Sequence, residues 1–66
     1  MTYAMYTLDK QTPDLRAVLA LHAARYGPPR LALVAPGAVE AVPGVVVREA
    51  KAGEGTIGRG IVWVAL

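Results

Sequence analysis

The sequence predicts one small α/β domain spanning residues 1–66, of the α+β kind, with the order β-α-β-(turn)-β-β: a mixed four-stranded sheet with one main helix, about residues 13–26, on one face. Three observations predict it. The chain has only 66 residues, 55% of them hydrophobic and 18% charged, too few for two domains and too apolar for a disordered tail. A single stretch carries both a helix start and a helix stop, and four short apolar runs lie between clusters of glycine, proline and polar residues.

The first run, Tyr3 to Leu8, is aromatic and apolar and ends at Asp9-Lys10-Gln11, as a strand entering a loop does. Thr12 is then placed to cap a helix, Pro13 suits its first position, and Asp14 complements the helix dipole. Gly27 can close that helix after Tyr26, and Pro28-Pro29 forbid its continuation. Arg30 to Ala35 reads as a strand buried on both faces. Ala38 to Val42 has room for one helical turn between Pro36-Gly37 and Pro43-Gly44, and Val45 to Glu49 is a β-branched strand whose Arg48 and Glu49 suit a sheet edge. Ala50 to Arg59 holds three glycines and reads as a mobile hairpin loop, and Gly60 to Leu66 is an apolar last strand containing Trp63. Strands one and two are expected to share a sheet through the helical crossover, and the last two to form an antiparallel hairpin. The connection between strands two and three falls short of the usual length of a parallel crossover, which favours a mixed sheet.

Composition narrows the chemistry. With no Cys and one His, neither disulfides nor a self-contained structural zinc site is available, so no metal is expected. Ser is absent as well, which removes the commonest nucleophiles, and no catalytic residue is expected. Arg outnumbers Lys five to two and Asn is missing, which leads to the expectation of high-GC prokaryotic coding and a thermophilic source. The first residues, Met1 to Tyr6, lack a basic stretch ahead of an apolar one, and no apolar run approaches the ~20 residues of a membrane span; a cytoplasmic protein is expected.

A domain this small, without disulfide or metal, sits near the limit of independent stability. The helix offers two stripes. Leu15, Val18, Leu19, His22 and Tyr26 can cover the sheet, while Ala17, Ala20, Leu21 and Ala24 form a second stripe with no helix in the domain to meet it. Strands two and four are apolar on both sides, and one helix cannot cover both. A homo-oligomer is therefore expected, dimer or higher, with Ala17, Ala20, Leu21, Ala24, Val62 and Val64 at its interface, and the function expected is a non-enzymatic protein-interaction module. A further, unidentified protein partner fits the same surfaces.

The alternative is a weak nucleic-acid or phosphate binder using Arg30, Arg48, Lys51 and Arg59 around the glycine-rich loop, less favoured because the net charge is only +2. Gly53-Glu54-Gly55-Thr56-Ile57-Gly58 has the letters of a dinucleotide fingerprint, but a strand follows it where a helix is required, so no cofactor is expected. His22 suits a core histidine with one hydrogen bond, Asp9 and Asp14 suit capping and loop roles, and Tyr3, Tyr6 and Trp63 suit a small core and its rim. Pro43 ahead of a strand is similar to the thioredoxin-like arrangement in outline only. No cysteine stands at the start of the first helix, and no activity follows.

Overall fold

The computed structural model describes residues 2–66. Its elements are β1 (Tyr3–Thr7), α1 (Leu15–Tyr26), β2 (Leu31–Val34), β3 (Val46–Glu49) and β4 (Ile61–Ala65). The four strands form one mixed sheet in the order β1-β4-β2-β3, so the expected α+β class with one helix and four strands holds. β4 runs antiparallel to both β1 and β2, which makes β1 and β2 parallel to each other, joined by α1 across the strand inserted between them.

The expected terminal hairpin does not form. β3 pairs in parallel with β2, Leu31 opposite Val46 and Val34 opposite Glu49, and both edges of β4 are taken by β1 and β2. The physical reason lies in side-chain polarity. β4 is apolar on both faces and belongs in the middle, whereas β3 carries Arg48 and Glu49 and belongs at a rim. Nor is the parallel connection a helical turn. It folds through two Pro-Gly turns, with Ala38 N–H donating to Ala35 O at 3.0 Å and Val45 N–H to Val42 O at 3.2 Å. Gly44 sits at φ 79°, the third position of a type II turn, where only a residue without Cβ is comfortable. Two such turns compact residues 35–45 enough to bring β3 beside β2.

The helix begins one cap later than Thr12. Asp14 is the N-cap and its carboxylate accepts from Ala17 N–H at 2.9 Å, while Pro13 stands just outside the helix. Thr12 is buried and turns its hydroxyl to Thr7 O at 2.9 Å, tying the loop to the end of β1. Gly27 closes the helix as expected, at φ 95°, its N–H donating to Ala23 O.

Leu15, Val18, Leu19 and His22 bury against Tyr6, Ala32, Val34, Val62 and Val64, which form the main core between helix and sheet. Tyr26, expected on that stripe, closes the last helical turn and is 60% exposed. The other face has its own cluster of Leu33, Ala35 and Ile57, flanked by Tyr3, Leu31, Ala50, Ile61 and Trp63. Ile57 comes from the segment between β3 and β4, so the chain covers its own second face. Replacing Asp14 by Ala removes the cap and is expected to lower the unfolding free energy by about 1 kcal/mol, whereas Leu33→Ala empties the second core and costs about 2–5 kcal/mol. Chemical denaturation followed by circular dichroism measures both.

Candidate functional site

Asp9, Asp14 and His22 are each drawn into structural bonds. Asp9, at the end of β1, accepts from the backbone N–H of Gln11 at 2.9 Å and of Thr12 at 3.0 Å. These bonds, Thr12's first, hold its carboxyl below the ordinary carboxylate value. His22 is 2% exposed and its Nδ1 lies 2.8 Å from the Tyr6 hydroxyl. Burial pushes the imidazole down and, with Tyr26 nearby, the Tyr6 phenol up, so the two share this hydrogen bond as neutral groups. His22 is thus a core histidine with one hydrogen bond, edge-on to Tyr6 and tilted against Tyr26 at centroid distances of 5.8 and 5.1 Å. Among the described residues no group of three or more His, Asp and Glu gathers as a metal site, and no helix is long and apolar enough to cross a membrane.

The glycine-rich segment is a strap and not a free hairpin loop. It leaves β3, crosses the second face of the sheet and returns to β4 at the sheet's centre, with Ile57 only 3% exposed over Leu33. Register places Arg48 beside Leu33 on that same face, and there it meets Glu54 of the strap in a two-bond pair of 2.7 and 2.9 Å. The Glu54 carboxylate also accepts from Lys51 N–H, and Glu54 N–H donates to Lys51 O at 2.9 Å. The Arg48 bonds first and the Lys51 N–H second bring the Glu54 carboxyl down to about 2. Gly55 lies beside Trp63, where a Cβ would be in ordinary contact with the indole at 3.8 Å, and the indole N–H is buried without a partner among the described residues.

Of the four cations expected to meet an anion, Arg48 is therefore spent on Glu54, and only Arg30, Lys51 and Arg59 stand exposed. Of the six expected interface residues, Val62 and Val64 are 2% and 0% exposed under the helix and are beyond the reach of another chain. The sequence shows that β4 has two apolar sides but not which one α1 covers. Ala20 and Ala24 are exposed, and Ala17 and Leu21 are half-buried.

Ala17 and Leu21 acquire a specific setting that the sequence does not announce. With Arg25 they form one wall of a groove of about 390 Å3 whose other wall is the outer side of β1, through Met5, Tyr6 and Thr7; Asp9, Gln11 and Thr12 line its end. β1 is an edge strand. Leu66 N–H donates to Thr2 O and Leu8 N–H to Gly60 O, at 2.9 and 2.7 Å, so the even-numbered residues direct their backbone groups at β4. By alternation Tyr3, Met5 and Thr7 direct theirs outward, along the groove. β1 contains no charge and no proline, and its register with β4 runs unbroken from Tyr3 to Thr7. The opposite edge is defended: β3 ends in Arg48 and Glu49.

Compared with protein-family models, with curated proteins and with solved structures, the chain matches none.

Two measurements test this chemistry. Because His22 is held neutral, the unfolded chain binds the extra proton as pH falls through the ordinary value of 6.5, so this contribution is present above that value and lost below it. The urea midpoint should fall between pH 7.5 and 5.5, and His22→Leu should flatten that slope, since Asp9 and Glu54 act only at lower pH. Glu54→Gln removes the charge on the clasp. It should speed amide exchange in residues 51–57 while leaving 61–65 slow.

Proposed function

We propose that the chain is a non-enzymatic interaction module that works by associating with a second copy of itself through the free edge of β1. The observation that carries this reading is the state of that edge: a five-residue strand, uncharged and without proline, with half its backbone groups directed into an open groove. Such an edge is a template for another strand, and natural sheets blunt it with charge, proline or a covering segment unless it is used. Met5, 66% exposed on the strand, adds apolar surface that association removes from water.

The rest of the molecule agrees with a binding role. His22 is consumed by Tyr6, Asp9 by its turn and Asp14 by the helix cap, which leaves no paired acid and base facing a cleft. The nucleic-acid reading loses its central cation to Glu54.

Light scattering coupled to size exclusion at micromolar concentration should return at least twice the 6.9 kDa of one chain. A cooperatively melting monomer would sink the proposal. Fluorescence anisotropy with labelled DNA and RNA at two salt concentrations covers the alternative. Micromolar binding that weakens steeply with salt and disappears in Lys51→Glu plus Arg59→Glu would replace self-association by phosphate recognition.

A further inference from the structure

We infer that two copies join β1 to β1 in antiparallel register about Met5, making one eight-stranded sheet that closes as a dimer. This rests on the self-association proposed above and goes further by fixing the register, the symmetry and the size of the assembly.

The outward-facing residues Tyr3, Met5 and Thr7 are symmetric about Met5. In an antiparallel pair centred there, Met5 faces Met5 of the second copy and Tyr3 faces Thr7. Every outward N–H and C=O then meets an outward partner, as in hydrogen-bonded pairs of an antiparallel ladder. Thr7 O already accepts from Thr12, so its second lone pair serves the new strand. Odd residues pair with odd and even with even, which keeps Ala4 and Tyr6 of both copies on the helix side. Both α1 helices therefore stand on the same face.

Charge at the groove ends supports a second copy as the occupant. Asp9 follows β1 at one end. α1 runs back along β1, so Arg25 near its last turn lies toward the other end of the same groove. The two-fold axis brings Arg25 of each copy toward Asp9 of the other. The pairing also uses both undefended edges and leaves only the two β3 edges, each ending in Arg48 and Glu49, so growth stops at two.

The helices themselves do not carry the contact. α1 lies over β4, one strand in from the edge. With strands about 4.8 Å apart the two helices stand about 14 Å apart, beyond the roughly 8–10 Å of close-packed helices. Ala17, Leu21 and Arg25 line the trough between them, whereas Ala20 belongs to the flank turned away from β1.

The chain has no cysteine, so single-cysteine variants report contacts cleanly. Met5→Cys should form a disulfide-linked dimer under mild oxidation, because hydrogen-bonded partners lie ~5.5 Å apart at Cα. Thr7→Cys alone should not, while mixed Thr7→Cys and Tyr3→Cys chains should. Met5→Pro removes an outward N–H without touching the β4 ladder. It should retain the far-ultraviolet circular dichroism of the fold and weaken the dimer by about 30-fold or more, from two lost hydrogen bonds per dimer. Ala20→Glu should leave the dimer intact. A dimer that is weakened by Met5→Pro but fails to cross-link through Met5→Cys would overturn this register and leave association through the β1 edge standing, whereas a dimer that survives Met5→Pro unweakened would overturn the β1 edge as the contact and with it the reading proposed above. A monomer at every concentration would overturn both, and an assembly larger than two would overturn the closure.

Discussion

Everything in this fold is arranged around a strand that cannot face water on either side. β4 presents Val62 and Val64 to one face and Ile61 and Trp63 to the other, and it lies between β1 and β2. A strand so placed has both ladders satisfied and both faces covered, one by α1 and the other by the strap. Burying a single Val, Leu or Ile is worth about 1.5–3 kcal/mol. The central position of β4 therefore outweighs the local preference for a hairpin with β3, its neighbour in sequence.

The strap is what makes a single helix sufficient. A Gly-rich segment has little apolar surface of its own, and it covers the sheet only through Ile57 and the Arg48–Glu54 clasp. The clasp is partly exposed and contributes little to stability by itself. Its effect is positional: two short bonds and the Lys51 N–H fix Glu54, and the fixed strap seats Ile57 on Leu33. Glycine at 55 suits the turn of the strap beside Trp63 because its φ is 99°, a conformation that residues with a Cβ rarely adopt. On the helix side the Tyr6–His22 bond plays a comparable part, giving a buried imidazole one partner in an otherwise apolar core.

Once both faces are closed, unsatisfied potential remains at the sheet's ends. The two edges differ in kind. β3 is short and carries charge, while β1 is uncharged, continuous and flanked by a groove that the helix walls but does not fill. The apolar excess of the sequence is thus used mainly inside the monomer. At the β1 edge what is left is backbone hydrogen-bonding capacity along Tyr3, Met5 and Thr7 with apolar surface at Met5, while Tyr26, Val39, Val46 and Leu66 stay exposed elsewhere.

The sequence by itself determined the elements and their kinds. Short apolar runs and their bounding turns marked all four strands, and Gly27 with Pro28-Pro29 ended the helix where it does end. The edge position of β3 was legible in Arg48 and Glu49, as was the structural part played by His22. These are local properties, fixed by side-chain polarity and backbone sterics within a few residues. Which strand lies between which was decided only by tertiary structure, because β4 displaces β3 through contacts with residues more than fifty positions away in β1. The same holds for Val62 and Val64, whose side of the sheet depends on where α1 lands, and for residues 51–59, whose glycines look like a loose loop until Ile57 finds Leu33. The outward row of Tyr3, Met5 and Thr7 likewise exists only once β4 has taken the other side of β1, since backbone groups have no free edge until a sheet defines one.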